Sequence, residues 1–258
     1  FDYVEIESTF YRIPNEFMVK NWYRRTPENF RFTAKLPKII THDKRLRNID
    51  EDQLDSFFKS ISELKEKLLT LLIQLPPSLR IVEGLEALRN ILPYLDRGFR
   101  YAVEVRHGSW FQDLAYNFFA NNRMSLVWGQ LADIHTPPIV TSDFVYIRFI
   151  GDRSIQEKDF GQIQIDRIKE MKKIARNFKD DTNKGNLSNF RFAIVAANNH
   201  YAGFGPGTVN IFRQLLGLEG VKWGDENVSR DDLGKSYDEN MDNRVGRTKQ
   251  TSLVDFFE

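Results

Sequence analysis

The stretch YAVEVRHGSW, Tyr101 to Trp110, decides how this chain is read. Its first half is a small, apolar and β-branched run of the kind that forms a buried strand. Its second half carries Glu104, Arg106, His107, Ser109 and Trp110, an ionic and aromatic cluster that packing alone does not call for. A strand whose carboxyl end is charged, and whose next residues open a helix, is the layout in which α/β proteins place their sites.

Outward from that stretch the layout repeats. Strands are predicted at 1–10, 30–36, 68–75, 101–106, 124–130, 144–150 and 190–199, each followed by an amphipathic helix or a loop. In the first, Val4 and Ile6 face one way and Glu5 and Glu7 the other. LLTLLIQL (68–75) is apolar almost throughout, as a strand covered on both faces is. Asp50 is a helix cap ahead of Leu54, Phe57, Phe58, Ile61 and Leu64 at core spacing. Proline-rich ADIHTPPIVTSD, before Phe144, is unsuited to a full helix. Alternation of strands with helices at such lengths predicts right-handed βα units. The fold class expected is α/β, a TIM-type (β/α)8 barrel with its first β/α unit missing ahead of Phe1. An open doubly wound sheet is the alternative, with no GxGxxG or GxxxxGK[ST] loop to support it.

With 258 residues, 41% apolar and 28% charged, the chain has the composition of a soluble globular protein. It has no cysteine, which excludes disulfides, thiolate nucleophiles and Cys-bound zinc. No apolar run approaches the ~20 residues of a membrane span, so no membrane partner and a cytoplasmic location are expected. The net charge of +1 gives no global signal for nucleic acid, so any such surface has to be a local patch.

Polar residues recur at strand ends, and there the candidate site is placed. Glu5, Glu104 and His107 are the candidate acid/base residues. Lys35, His42, Gln74, Arg106, Trp110, Tyr146, Arg148, Asn198 and Asn199 are candidates for holding an anionic substrate, because guanidinium and ammonium groups bind phosphate or carboxylate. His42, His107 and His200 are the candidate ligands should a divalent metal be used, although no HExxH-type spacing points to one. The four histidines all fall just past a predicted strand end, outside helices. The competing reading makes Glu5, Lys35, Glu104 and Arg106 a satisfied ion-pair network, since buried charges must be paired. Trp22, Trp128 and Trp223 read as packing residues, and Trp110 as the exception beside the charged cluster. Lys169, Lys172, Lys173 and Arg176 read as a solvated helix face, with phosphate contact as the alternative.

The runs VEIESTFYRIP, FTAKLPKIITH, QLPP, VEVRHGSW, YIRFIG and ANNHYAG, in this order, resemble the domain of unknown function 72 (YecE-like) family. The resemblance spans Phe1 to about Leu218 and implies a TIM barrel. The family pattern resembles VEINSTFY, so Glu7 stands where Asn is usual. The barrel is similar to those of endonuclease-IV-like and sugar-isomerase-like proteins, a likeness of fold rather than of reaction.

From Val221 the composition turns polar and charged, which predicts a flexible linker over 221–249 after a barrel domain over 1–220. The last residues, QTSLVDFFE, place Gln250, Leu253, Phe256 and Phe257 in the pattern of a PCNA-interacting peptide (PIP box). One 3₁₀ turn would gather the three apolar side chains on one face. That resemblance implies the PCNA sliding clamp as partner, DNA replication or repair as context, and an archaeal (nucleoid-associated) or eukaryotic setting. A C-terminal segment folded back on its own barrel is the competing reading. The leading expectation is a clamp-associated protein that binds or hydrolyses nucleic acid, a nuclease-like phosphodiester hydrolase. An enzyme on a small phosphorylated or carboxylated metabolite and a non-catalytic clamp-bound adaptor are the alternatives.

Overall fold

Among the described residues, eight short strands, all parallel to their neighbours, carry the fold. The structure, a computed structural model, describes residues 1–183 and 191–222. Residues Phe1–Gly220 form one unit. The predicted linker and the peptide at Gln250, Leu253, Phe256 and Phe257 lie outside the described residues.

The first sheet has the order β1 (Tyr3–Ile6), β2 (Arg31–Lys35), β3 (Leu68–Gln74), β4 (Tyr101–Glu104), β5 (Met124–Leu126). The second has the order β6 (Trp128–Leu131), β7 (Phe144–Gly151), β8 (Phe192–Ala197). The segment 124–130, expected as one strand, is divided at Val127. Its amide still bonds to the Val103 carbonyl at 3.0 Å, whereas β6 has turned to pair with β7. Helices α1 (Glu16–Arg25), α2 (Glu51–Ile61), α3 (Ile81–Ile91), α4 (Asp113–Asn121), α5 (Ile168–Asn183), α6 (Asn199–Ala202) and α7 (Gly205–Leu215) occupy most of the crossovers. Asp50 caps α2 as expected, its carboxylate accepting from the Gln53 amide at 3.1 Å.

Two apolar layers follow from the strand alternation. On one face of the strands lie Leu72, Ala102, Val127, Phe144, Tyr146 and Ile194, with Tyr3, Leu69, Phe192 and Ala196 against them. On the other, Trp128, Val145, Ile147 and Phe149 meet Met171, Ile174, Tyr201 and Phe212 of the helices. Adjacent residues of β7 thus serve opposite layers, the period-2 rule at work on a strand with no solvent face. Gly151 ends β7 at φ +79°, and a Cβ there would lie 2.2 Å from the His200 carbonyl oxygen, so only glycine lets α6 approach the strand end.

Trp110 is a correction to the sequence reading. It is fully buried, donates its indole N–H to the Leu79 carbonyl at 2.9 Å, and stacks on Phe119. A Cβ on Gly84 of α3 would stand 2.1 Å from its ring, so the indole is a wedge between helices and not a ligand platform. His200 and His42 correct a second expectation, since the first sits inside α6 and the second inside a wide helical turn over Ile39–Asp43. Gly84→Ala is expected to lower stability by about 1–3 kcal/mol through overpacking, read as a reduced urea midpoint. An unchanged midpoint would show that the indole moves aside at no cost.

Candidate functional site

The same alternation that fills the inner layer carries on past it, one step towards the carboxyl ends, where the side chains become charged. Tyr3 and Glu5 share a face of β1, Thr33 and Lys35 one of β2, Leu72 and Gln74 one of β3, Ala102 and Glu104 one of β4, Tyr146 and Arg148 one of β7. Register holds neighbours level: Gln74 is the partner of Glu104, and Gly129 of Arg148.

Arg148 is the hub. Its Nη1 donates to Glu104, its Nε to Glu5 Oε2 at 2.9 Å, and its Nη2 to both Glu5 Oε1 and Glu7 Oε1, the latter at 3.0 Å. Three carboxylates from different parts of the sequence therefore surround one buried guanidinium. Glu104, with no exposed surface, also accepts from Arg106 Nε at 2.6 Å, and Arg106 Nη2 donates to Gln74 Oε1 at 3.0 Å. Beneath lies a hydroxyl triangle in which Tyr3 meets Thr33 at 2.7 Å and Tyr146 at 2.9 Å. Tyr146 then donates to Glu5.

Lys35 approaches from the other side. Its ammonium lies 4.0 Å above the Phe10 ring and 3.8 Å from Glu7 Oε2. The Thr9 hydroxyl donates to the Lys35 carbonyl at 2.8 Å and accepts from its amide at 3.1 Å, pinning the 3₁₀ turn after Glu7 to the end of β2. Glu7 is the accessible member, with 44% of its side chain exposed. Arg106 keeps 21% exposed.

These surroundings drive the carboxyls apart. Burial, and next to it the charge of Glu7, raise Glu5 against the pull of Arg148. Burial pushes Glu7 up too, but Lys35, a hydrogen bond from Glu5 and Arg148 hold it below the usual range. Glu104 is also lowered, because Arg148 and Arg106 outweigh its desolvation. Desolvation lowers Lys35, only partly offset by Glu7, and lowers His42, where Lys35 and Arg106 add to the effect. Two carboxyls in contact, one favouring its proton and one resisting it, can exchange that proton.

The structure brings together Glu5, Lys35, Gln74, Glu104, Arg106, Tyr146 and Arg148, and His42 joins through Gln74 at 3.4 Å. It does not bring in His107, whose Nδ1 meets the Ser109 hydroxyl at 2.9 Å and caps the turn ahead of Trp110. Asn198 accepts from the His200 amide at 2.9 Å and Asn199 from the Gly205 amide at 2.8 Å, so both shape the α6–α7 corner. His200 faces the Ile155 carbonyl and the Phe160 ring. His42, His107 and His200 thus have separate surroundings, and among the described residues no three His, Asp or Glu side chains are arranged to hold a metal. The place a cation would take among Glu5, Glu7 and Glu104 belongs to the Arg148 guanidinium. Sequence reading passed over Tyr3, Thr33 and Phe10. The first two lie two residues before Glu5 and Lys35, so period-2 alternation was the signal that could have found them.

A parallel α/β protein with its polar centre at the carboxyl ends of the strands is the class these features define. The chain belongs to the family described as "Protein of unknown function DUF72", which matches residues 1–231. It is 36% identical over 111 residues to the UPF0759 protein YecE of Escherichia coli K12, a match covering 43% of this chain and 40% of that protein. The matched stretch is thus less than half the length of that relative. Among solved structures it is similar to a DUF72 family protein of Enterococcus faecalis V583, with a TM-score of 0.69 at 23% identity over 84% of this chain and 90% of that one. A DUF72 family protein of Thermotoga maritima MSB8 gives a TM-score of 0.65 at 25% identity, over 83% of each chain.

Glu104→Gln removes one partner of a buried ion pair and is expected to cost about 3–5 kcal/mol at neutral pH, measured by urea unfolding. Because the folded value of Glu104 lies below the ordinary 4.5, its stabilisation is complete above that value and is lost as pH falls through the lowered one. The gap between wild type and variant should therefore close in acid. Glu5→Gln imitates a protonated carboxyl and is expected to cost less than Glu104→Gln. Equal losses would mean that Glu5 is held as a carboxylate.

Proposed function

We propose that the two parallel sheets are the wall of a TIM-type (β/α)8 barrel, and that its mouth is an acid–base site for phosphodiester hydrolysis in a clamp-associated DNA-maintenance protein. Support comes from one juxtaposition: Glu5 and Glu7 in contact, displaced in opposite directions, with Lys35 and the partly exposed Arg106 beside them. In this scheme Lys35 and Arg106 hold the non-bridging oxygens, and ionised Glu7 takes a proton from the attacking water. The carboxyl pair returns one proton to the leaving oxygen as the P–O bond breaks, so no proton is gained or lost overall. Arg148 and Tyr146 are positioning residues that hold Glu5 against Glu7. The C-terminal peptide would tether the barrel to the PCNA clamp, raising local concentration at DNA without a strongly basic chain.

A second reading is favoured by the charge balance of the mouth. Every nitrogen of Arg148 is engaged by a carboxylate, whereas Lys35 meets Glu7 only at 3.8 Å and Arg106 keeps part of its side chain exposed, so these two are the cations an incoming anion would meet. Two cations suit one small phosphorylated or carboxylated metabolite at least as well as a polymer.

Glu7→Gln is expected to lower hydrolysis of bis(p-nitrophenyl) phosphate by about 10²–10⁴-fold while leaving the fold intact. Undiminished turnover in this variant, or none in the wild type, removes the hydrolase. Thermal stabilisation by sugar phosphates without diester hydrolysis would favour the metabolite reading. Phe256→Ala with Phe257→Ala is expected to abolish capture of the intact chain by PCNA; undiminished capture would dismiss the tether.

A further inference from the structure

Helix α5 presents an unusual outer face. Lys169, Lys172, Lys173 and Arg176 are spaced 3, 1 and 3 apart, which at 100° per residue gathers them into one stripe about 100° wide. All four are exposed, whereas Met171, Ile174 and Ala175 turn inward to the layer beneath β7. Ion pairs elsewhere mix the signs on a helix surface: Glu16 of α1 receives both Lys20 and Lys59. No ion pair involves any of the four α5 cations among the described residues. Of the acids on α5, Glu170 lies to one side of the stripe and Asp180, one turn beyond Arg176, closes its carboxyl-terminal end. Residues 1–220 carry 31 lysines and arginines against 27 acids, so these four cations equal the whole net charge of that unit, the form in which a locally basic surface attracts a polyanion.

We infer that this face of α5 is a docking stripe for the phosphate backbone of DNA. The inference rests on the nucleic-acid reading of the mouth but adds a separate surface, carried on the helix between β7 and β8. The stripe is about 10 Å long at 1.5 Å per residue, and a duplex strand carries one phosphate per ~3.4 Å of axis, so two or three phosphates of one strand match it. Phosphate pairing of this kind fixes position and carries no base sequence, and lysine ammoniums on flexible stems suit that role. Among the described residues of α5 the one aromatic, Phe178, packs on the opposite, inward face, which favours duplex over single strands.

The test is fluorescence anisotropy with a labelled 20-bp duplex, titrated with intact protein across a salt series. Lys172→Glu with Lys173→Glu is expected to weaken binding at least tenfold and to flatten the log–log salt slope by about 1.8, at ~0.9 for each phosphate that is no longer neutralised. Arg80→Glu with Arg97→Glu makes the same charge change elsewhere and should alter affinity less than twofold. All four substituted residues are exposed, and circular dichroism confirms that each variant folds. Equal losses in both variants would reduce the effect to net charge and overturn the stripe. Binding that survives in the α5 variant but is lost on Arg106→Glu would place DNA at the mouth instead. Wild-type protein that hydrolyses bis(p-nitrophenyl) phosphate yet binds no duplex at low salt overturns the stripe and leaves the hydrolase standing. Duplex binding without diester hydrolysis does the reverse. Tighter binding to phosphatidylserine vesicles than to the duplex would assign the face to a membrane surface and overturn the proposal.

Discussion

One guanidinium among three carboxylates is the constraint on which the strand-end structure depends. Arg148 draws Glu5, Glu7 and Glu104 to itself, and those residues come from the first and fourth strands and the turn after the first. Taking any of these charges out of water is costly, and mutual pairing is what makes the arrangement tolerable. Removing Glu104 leaves Arg148 buried and short of a partner, whereas Glu7, much the most exposed of the three carboxylates, is the member changed at least cost. The cluster therefore couples β7 of one sheet to β1 and β4 of the other, in addition to the apolar layer below.

That coupling explains why acid–base character arises here. The inner layer of Leu72, Ala102, Val127, Tyr146 and Ile194 keeps water from below, and the Tyr3–Thr33–Tyr146 hydroxyls finish the apolar stack with satisfied polar groups. Above them the medium is still poor in water, so each charge feels its neighbours strongly. Glu5 and Glu7 differ by two residues yet are displaced oppositely, because one is sunk beside the hydroxyls and the other reaches out to Lys35. A pair of like groups in unlike surroundings is how one scaffold supplies both an acid and a base.

The electrostatics are divided between two places. At the mouth, cations and carboxylates cancel almost one for one, which favours a site that moves protons over one that gathers polyanions. On α5 the four cations make no ion pair among the described residues, a design suited to weak, salt-sensitive capture. If both act on DNA, the helix face and the strand ends do different work: the first positions and the second reacts.

Much of this was legible from residue order alone. Period-2 runs marked the strands, Asp50 marked the start of α2, and charged residues following apolar ones marked the strand ends. Glu5, Lys35, Glu104 and Arg148 could be grouped because parallel strands bring every carboxyl end to one side. Trp110 and His107 were grouped wrongly for a physical reason: chain continuity says they follow Glu104, but only packing shows the backbone turning outward to wedge the indole against Gly84. The division of 124–130 into two strands was hidden likewise, since Leu126, Val127 and Trp128 form an unbroken apolar run of the kind a single buried strand shows. Local pattern determined which side chains would be level with one another, as strand geometry is set by the backbone itself. Which carboxylate takes which proton was decided by tertiary structure alone, because desolvation and distance depend on neighbours more than a hundred residues away.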